Sequence, residues 1–259
     1  MTTVRTEIAG GVATVTLQRP EVKNAMNWAL VDDLTAAGRA LAANEAVRAV
    51  VVTGDGGTFS SGIDVTTFAS EDGSLDPSGT NVRRFQDAFT VFEQLGAPVI
   101  AAIEGYCYGA GFQLALACDL RVIADGAQLS VMETRWGIIP DLGATTRLPR
   151  LIGLGRAKDL ALTARIIDAD EASTIGFADR RTPAGDAIKV ATSLAEELAG
   201  GPPLALAAIK RLMNASFDSP VSDGLDREAA VQRRVLGSSD FIEAVTARFE
   251  KRPPRFTAS

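Results

Sequence analysis

Two short stretches of the sequence combine small residues with groups that can stabilise a negative charge. The first, "GYCYGAGFQLALACD" over residues 105–119, is rich in glycine, then apolar at helical spacing, with one amide at Gln113. The first N–H groups of a helix lack intrahelical acceptors and lie at the positive end of its dipole. Small residues at 109–111 would let a ligand approach them. The junction is therefore suited to an oxyanion, although close packing of a helix on a strand would explain the same residues.

The second stretch, "FSSGID" over residues 59–64, offers another exposed backbone amide near Gly62 and Ile63. Donors from two separate loops can bind one oxygen atom if the fold brings them together, which spacing alone does not show. Other glycine-rich sites are excluded. The glycines of the junction do not form G-x-G-x-x-G, and no G-K-[ST] follows them, so neither a dinucleotide fingerprint nor a P-loop is present.

The chain contains no histidine. This excludes Ser-His-Asp and Cys-His nucleophilic catalysis, histidine-ligated metal sites and imidazole acid–base chemistry. Proton transfer must use carboxylates, lysine, tyrosine, cysteine or water. The two cysteines, Cys107 and Cys118, are expected to be buried free thiols rather than a disulfide.

The composition is that of an ordinary globular protein, with 46% hydrophobic and 22% charged residues. The net charge of −6 and the lack of a dense basic run argue against nucleic-acid binding. No apolar run reaches the ~18 residues of a membrane helix, and the amino terminus has no signal-peptide pattern. We therefore expect a cytoplasmic protein that contacts neither nucleic acid nor membrane.

The elements that must position these groups alternate between strand and helix in the first half. A hairpin is predicted around Gly10 and Gly11, and then a helix capped by Asn27. Buried strands are predicted at "VRAVVVTG" and "APVIAAIEG", a helix around Phe85 and Phe89, and short strands at "LRVIA" and "AQLSV". The polar, Gly/Pro/Ser-rich residues 70–80 are interpreted as a mobile loop.

After about residue 144 almost every segment has a helical pattern, with only "FADRRT" extended. The fold class predicted is therefore α/β, a βα core followed by a helical tail. The alternating apolar and charged faces of the tail suggest packing on the core or on other subunits.

Five motifs, in order over nearly the whole chain, resemble the enoyl-CoA hydratase/isomerase (crotonase) family. They are "RPEVKNAMN", "FSSGID", "GYCYGAGFQLALACDLRVIAD", "METRWGIIPDLGATTRLPRLIG" and "FEKRPPRF". The resemblance implies a crotonase-like core of repeated ββα units over residues 1–195, and a helical carboxyl-terminal oligomerisation region over 196–259. It also implies a homotrimer or a dimer of trimers.

The resemblance implies an acyl-CoA substrate whose thioester oxygen is held by the backbone N–H groups of Ile63 and Ala110. Coenzyme A is then part of the substrate, and neither a separate cofactor nor a metal ion is expected. The matching positions for contacts with the CoA portion are Lys23, Ala25, Ser61, Gly62, Asp64 and Gly109, with Lys251 from a neighbouring subunit. Solvated surface is the plainer interpretation of the basic side chains.

The acid residues depart from the hydratase pattern. Family hydratases have a glutamate at the position of Gln113 and a second one at Glu133, so this chain keeps one of the two. The dienoyl-CoA isomerases of the family have a glutamate at the position of Glu133 and an aspartate at that of Asp141. The simple isomerases are believed to work with the single glutamate. A turn or helix cap is the alternative role of Asp141 in "PDLG".

We therefore expect a double-bond isomerase in which Glu133 removes the C2 proton of an enoyl or dienoyl thioester. The proton would return further along the chain from Glu133 or from Asp141. Three alternatives stay open. One is a hydratase that uses Glu133 and a water held by Gln113, and another is a catalytically weak acyl-CoA-binding relative. The third is a structural or scaffold protein, which would have no affinity for CoA.

Overall fold

The computed structural model describes residues 2–68 and 80–257. Within them the strands are β1 (Val4–Ala9), β2 (Val12–Leu17), β3 (Ala49–Gly54), β4 (Val99–Ile103), β5 (Tyr106–Tyr108), β6 (Leu120–Ala124), β7 (Gln128–Ser130), β8 (Ile167–Asp168) and β9 (Arg180–Thr182). The α-helices are α1 (Trp28–Ala42), α2 (Thr80–Glu93), α3 (Ala110–Ala117), α4 (Ala144–Ile152), α5 (Leu154–Thr163), α6 (Ala169–Thr174), α7 (Ala187–Ala199), α8 (Pro203–Asn214), α9 (Val221–Leu236) and α10 (Ser239–Glu250).

The strands form two sheets. The larger has six strands in the order β1-β2-β3-β4-β6-β9, and the smaller has the order β5-β7-β8. β1 and β2 are antiparallel, whereas β2, β3, β4, β6 and β9 run parallel to their neighbours. The chain thus passes from a strand of the large sheet to a strand of the small sheet and then into a helix. For example, β4 of the large sheet is followed by β5 of the small sheet and then by α3.

The large sheet is buried on both faces, as parallel sheets usually are. Side chains alternate along β3, with Val50 and Val52 in one apolar cluster and Ala49 and Val51 in another. The first cluster includes residues of α1, α2 and α3, and the second is closed by Ala191 and other residues of α7. The end of the sheet that carries the loops is left for the site.

Most of the predicted elements are confirmed. The hairpin turns at Gly10 and Gly11, and the side chain of Asn27 accepts a hydrogen bond of 3.0 Å from the N–H of Leu30 at the start of α1. Cys107 and Cys118 are buried free thiols. The sequence analysis missed β5, β8 and α9, since the first two are too short to show a period. The loop predicted over residues 70–80 lies outside the described residues, except for residue 80, where α2 begins.

The last three helices, α8 to α10, leave a set of large apolar side chains exposed. They include Met213 (67% exposed), Val221 (80%) and Phe249 (83%). Lys210 of α8 is buried and connects this region to the core. Its ammonium group pairs with Asp119 at 2.8 Å and donates to the carbonyls of Phe92 and Ala97, both at 3.1 Å. The division at residue 195 stays a prediction, and that residue lies inside α7.

Candidate active site

The loop of residues 59–64 is paired with β5, which brings the two glycine-containing stretches together. The N–H of Ser60 donates to the carbonyl of Tyr106 at 2.8 Å, and the N–H of Tyr108 donates to the carbonyl of Ser60 at 3.0 Å. This pairing joins segments more than forty residues apart in the sequence. It answers the question that spacing left open, because the loop now lies directly beside the start of α3.

The close approach of the two stretches requires Gly62. Its φ of +105° is rarely adopted by residues with a side chain. A Cβ added there would lie 3.1 Å from the carbonyl oxygen of Tyr108 and 3.7 Å from the nitrogen of Ala110. The backbone at Gly62 therefore passes within contact distance of the first amide of α3.

Two backbone N–H groups in this region are available to a ligand. Ala110 is the first residue of α3, so its N–H has no intrahelical acceptor. The neighbours of Ile63 both bond to Met26, with Met26 N–H donating to Gly62 at 2.8 Å and Asp64 N–H donating to Met26 at 3.0 Å. Among the described residues, no acceptor is paired with the N–H of Ile63 or Ala110.

Buried polar side chains that the sequence analysis did not identify hold this loop. The side-chain amide of Asn24, fully buried, donates to the carbonyls of Asp55 at 2.9 Å and Thr58 at 2.7 Å. The hydroxyl of Ser60, also fully buried, donates to the carbonyl of Asn24 at 2.8 Å and accepts from the N–H of Gly62 at 3.2 Å. Asn24 and Ser60 lie in two of the quoted motifs, but nothing in their spacing indicates these contacts.

Glu133 lies next to the same junction, at the start of a 3-10 turn over Glu133–Trp136 that follows β7. Its side chain is buried, with 7% of the residue exposed. A Cβ added at Gly109, whose φ is +50°, would lie 3.5 Å from Oε1 of Glu133. The carboxyl group and the start of α3 therefore face each other across the glycine.

The side chain of Gln113 connects Glu133 to the loop before α4. Its Nε2 donates to Oε1 of Glu133 at 2.6 Å, and its Oε1 accepts from the N–H groups of Leu142 at 2.8 Å and Ala144 at 3.1 Å. The opposite amide orientation would place an NH2 group against two N–H donors, so the network fixes this orientation. Gln113 is thus fully buried and oriented towards Glu133.

The environment of Glu133 favours its neutral form. Burial raises the pKa of the carboxyl above its ordinary value, and the nearby charge of Asp141 adds to this. Hydrogen bonds from its own backbone N–H and from Gln113 act in the opposite direction. The second oxygen, Oε2, is buried without a hydrogen-bond partner among the described residues. An unpartnered buried oxygen is costly in a folded protein unless a ligand group meets it, as a base would meet a proton.

Asp141 is half-buried and lies at the amino-terminal side of α4, close enough for its charge to act on Glu133. Burial raises the pKa of the Asp141 carboxyl too. The backbone of Asp141, rather than its carboxyl, accepts a hydrogen bond from Nε2 of Gln86 at 2.7 Å. The helix-cap role does not apply, because the residue before α4 is Gly143 and no side chain caps that helix.

A cavity lies beside the junction and is lined by Gly62, Ile63, Ala110 and Glu133, with Trp136 on its apolar wall. Trp136 is 66% exposed. Asp141 is not among the lining residues. The cavity therefore brings a buried carboxyl group close to the two residues whose N–H groups have no acceptor among the described residues, next to an apolar wall.

Four of the residues predicted to contact the CoA portion, Lys23, Ala25, Ser61 and Asp64, lie on this loop or on the segment that pairs with it. The N–H of Ser61 donates to the carbonyl of Lys23 at 2.9 Å, and the ammonium of Lys23 lies 4.4 Å from the ring centroid of Tyr106. Arg19, which the sequence analysis missed, donates to the carbonyl of Ala25 at 2.5 Å and pairs with Asp64 at 3.0 Å. Hydrogen bonding from Thr66, with help from Arg19, lowers the pKa of Asp64.

Several of the predicted CoA contacts, among them Lys23, Ala25 and Asp64, do not line the cavity. Lys251 ends α10 and is exposed, and it is not among the residues that line the cavity. Phe112, which precedes Gln113 in α3, is fully buried and stacks on Phe177 with 4.5 Å between ring centroids, so it packs in the core. In the described residues, no group of three or more cysteine or acidic side chains is placed to hold a metal ion, and no helix is long and apolar enough to cross a membrane.

Comparisons of the sequence and of the structure with known proteins all indicate the same family. The sequence model described as "Enoyl-CoA hydratase/isomerase" matches residues 7–259. A Rhodobacter capsulatus protein named "Probable enoyl-CoA hydratase" is 41% identical over 98% of both chains. The rat mitochondrial "Delta(3,5)-Delta(2,4)-dienoyl-CoA isomerase" is 37% identical over 92% of this chain and 76% of its own. A solved structure of a putative enoyl-CoA hydratase from Streptomyces coelicolor A3(2) has a TM-score of 0.94 at 36% identity, covering 99% and 94% of the two chains.

Proposed function

The chain belongs to the enoyl-CoA hydratase/isomerase family and has the crotonase fold, and from this premise we propose that it is an enoyl- or dienoyl-CoA double-bond isomerase. Membership makes it an acyl-CoA enzyme. The specific reaction is inferred from the arrangement of Gln113, Glu133 and Asp141, because the names of its relatives include both hydratases and an isomerase.

The observation that carries the proposal is the direct contact between Gln113 and Glu133 at 2.6 Å. An enzyme that adds water must hold that water and accept its proton, and two carboxyl groups can share this task. Here the amide oxygen of Gln113 already accepts two backbone N–H groups, which use both of its lone pairs. The side-chain oxygen of Gln113 therefore has no free lone pair to accept a hydrogen bond from a water molecule. An isomerase needs no such water.

In the proposed reaction, Glu133 acts as the base. Its unpartnered oxygen Oε2 removes a proton from C2 of a 3-enoyl or 3,5-dienoyl thioester. The electron pair of the C2–H bond moves towards the thioester carbonyl, and the N–H groups of Ile63 and Ala110 bind the resulting oxyanion. Each donor of this kind contributes about 2.7–4 kcal/mol to the transition state.

The proton is restored to a carbon further along the acyl chain as the double bonds shift. For a 3-enoyl substrate, protonated Glu133 delivers it to C4, and one acid residue completes the reaction. For a 3,5-dienoyl substrate the proton enters at C6, further from C2, and Asp141 in its acid form is the proposed donor. Glu133 then returns its proton to solvent and Asp141 takes one up, so the net reaction is an isomerisation.

The CoA portion and the assembly are further parts of the proposal. The residues proposed to contact the CoA portion come from the loop at residues 59–64, from the segment paired with it and from the start of α3, with Lys251 supplied by a neighbouring subunit. They are Ser61, Gly62, Asp64, Lys23, Ala25 and Gly109. The exposed apolar side chains of α8 to α10 support a homotrimer or a dimer of trimers. Coenzyme A enters as part of the substrate, and no separate cofactor is invoked.

Hydration remains the second candidate, because several relatives are named as enoyl-CoA hydratases. In that case a water would be activated by Glu133 alone. Purified protein should be assayed with a 3-enoyl-CoA, a 3,5-dienoyl-CoA and crotonyl-CoA, and the Glu133→Gln variant should be assayed in parallel. We expect isomerisation of one of the first two to exceed hydration of crotonyl-CoA, and Glu133→Gln to lower it about 10²–10⁴-fold.

Faster hydration of crotonyl-CoA would replace the isomerase proposal by the hydratase. Tight binding of acyl-CoA in calorimetry, with no turnover and no exchange of the C2 proton for deuterium, would instead indicate an acyl-CoA-binding relative without activity.

A further inference from the structure

The backbone that carries Asp141 is held by side chains from three helices. Nε2 of Gln86, on α2, donates to the carbonyl of Asp141 at 2.7 Å. A guanidinium nitrogen of Arg147 donates to the carbonyl of Leu142 at 3.1 Å. Gln113 accepts from the N–H groups of this turn, as described above. The turn at residues 141–144 is thus held by hydrogen bonds at both kinds of backbone group. Its carbonyl groups accept from Gln86 and Arg147, and its N–H groups donate to Gln113.

Arg147 is itself bound to α2. Its Nε and one terminal nitrogen donate to the two oxygens of Glu93 at 3.1 and 2.7 Å, a bidentate pair. Glu93 follows Gln86 by seven residues, so both lie on one face of α2, two turns apart. The helix therefore holds the turn at two points, directly through Gln86 and indirectly through Arg147.

These contacts affect where the carboxyl group of Asp141 stands in the proposed reaction. Gln113 fixes Glu133 through side-chain contact, whereas the position of the Asp141 carboxyl depends on the backbone of its own turn. A displacement of about 1 Å at a reacting group can cost about 10²-fold in rate. The distance between the two carboxyls, and with it the carbon that Asp141 can reach, depends on contacts made by α2.

We propose that Gln86 and the Arg147–Glu93 pair are positioning residues that set Asp141 for delivery of the distal proton. The inference rests on the proposed isomerase function, and it assigns the two proton transfers to different sets of residues. Abstraction at C2 requires Glu133 and Gln113, whereas delivery at C6 of a dienoyl substrate requires the attachment of α2. A purely structural role of Gln86 would lower both steps together.

The test separates the two steps. Gln86→Met removes the donor at similar side-chain length, and Gln94→Met makes the same change at an exposed position just after α2. Both variants are incubated with a 3,5-dienoyl-CoA in deuterated water. Exchange of the C2 proton reports abstraction, and formation of the conjugated 2,4-dienoyl product reports delivery. Thermal unfolding shows whether each variant is folded.

We expect Gln86→Met to retain C2 exchange within about twofold of the wild type while product formation falls tenfold or more, a loss of about 1.4 kcal/mol or more. Glu93→Gln, which weakens the pair with Arg147, should shift the same ratio in the same direction. In an Asp141→Asn background, Gln86→Met should have no further effect, because residues that act through one group are not additive.

Three results would overturn the inference. The first is an equal loss of exchange and product in Gln86→Met, the second is behaviour identical to Gln94→Met, and the third is full additivity with Asp141→Asn. If the wild type catalyses neither exchange nor isomerisation, the proposed function fails as well. A wild type that isomerises while Gln86→Met is unaffected removes only the role of α2.

Discussion

At the scale of single residues, the replacement of a carboxyl by the amide of Gln113 changes how the site titrates. An amide cannot ionise, so Glu133 has a neutral hydrogen-bond donor at 2.6 Å where a hydratase of this family would have a second acid. Two carboxyl groups at that distance cannot both be ionised and would share one proton. In this chain, burial is the main cause that raises the pKa of Glu133, and the charge of Asp141 raises it further.

The first prediction concerns this amide. In Gln113→Glu, the new carboxyl should accept from Leu142 and Ala144 and share a proton with Glu133, which raises the pKa at which the pair becomes active. Because the base must be ionised to act, the acid side of the pH–rate profile for isomerisation should move to higher pH. Hydration of crotonyl-CoA should rise, by up to the ~10²-fold typical of an added acid–base group.

The control for this variant is Gln94→Glu at an exposed position, and it should leave both activities and the pH profile unchanged. The interpretation of the amide contact is wrong if Gln113→Glu keeps the wild-type profile and gains no hydration.

The second prediction links the burial of Glu133 to stability. Its pKa is raised in the folded state, so its contribution to stability is fully present below the unfolded value of about 4.3 and is lost as pH rises through the folded value. Glu133→Gln keeps the contact with Gln113 and removes the buried charge. The variant should therefore unfold at a higher temperature than the wild type at pH 8, with no difference near pH 4, while activity falls about 10²–10⁴-fold.

Differential scanning calorimetry at the two pH values checks this prediction. A variant less stable than the wild type at pH 8 would show that the ionised carboxyl stabilises the fold, contrary to the effect of burial.

The residues of the site differ in how far the sequence could predict them. Glu133, Asp141, Ile63 and Ala110 follow from motifs that keep fixed positions in the family. Asn24, Ser60 and Gln86 could not be predicted, because each acts through a contact with a segment distant in the sequence. The partner of a hydrogen bond becomes known only when the strands and loops have been placed.

At the scale of elements, the pairing of the loop at residues 59–64 with β5 brings together the two stretches that we propose form the oxyanion site. The third prediction is that Gly62→Ala reduces activity about a hundredfold, because strain at φ +105° and the contact with Tyr108 displace the Ile63 amide. Steady-state rates with the preferred substrate measure this loss, and it should appear in kcat more than in KM.

Gly155→Ala is the matched control, since it lies inside α5 with open space where the new methyl group would stand. It should retain full activity and gain up to ~1 kcal/mol of stability. Wild-type kcat in Gly62→Ala would show that the oxyanion is not bound between these loops.

The boundaries of long, periodic elements were predictable, and those of short ones were not. The apolar spacing of α1 and the β-branched runs of β3 and β4 decide their structure locally. β5 has three residues and depends on pairing with β7 and with the loop at Ser60. Its place inside the glycine junction was therefore hidden, although the junction itself was recognised.

At the scale of the whole molecule, alternating strands and helices predicted the α/β core, but neither the division into two sheets nor their order. The last three helices bury few large apolar residues within the chain and leave several exposed. Exposed large apolar side chains gathered on neighbouring helices are typical of a surface that another protein covers. We infer that this surface is covered by other copies of the chain.

The fourth prediction follows from this surface. Phe249, which is 83% exposed on α10, should lie in a subunit interface, so Phe249→Glu should place a charge in an apolar contact and shift the assembly towards smaller species. Size-exclusion chromatography with light scattering measures the mass. Lys158→Glu, at an exposed position of α5, is the control and should leave the mass unchanged. A wild-type protein that is monomeric at micromolar concentration contradicts the expectation.

The hydrogen bond between Gln113 and Glu133 also has an evolutionary consequence. Glutamine and glutamate codons differ only in their first base, so a single nucleotide substitution separates the two arrangements. On the function proposed for this chain, that one substitution would separate double-bond migration from water addition without refolding any part of the protein. The identity of the residue at position 113 would then sort members of this family by reaction better than percentage identity does.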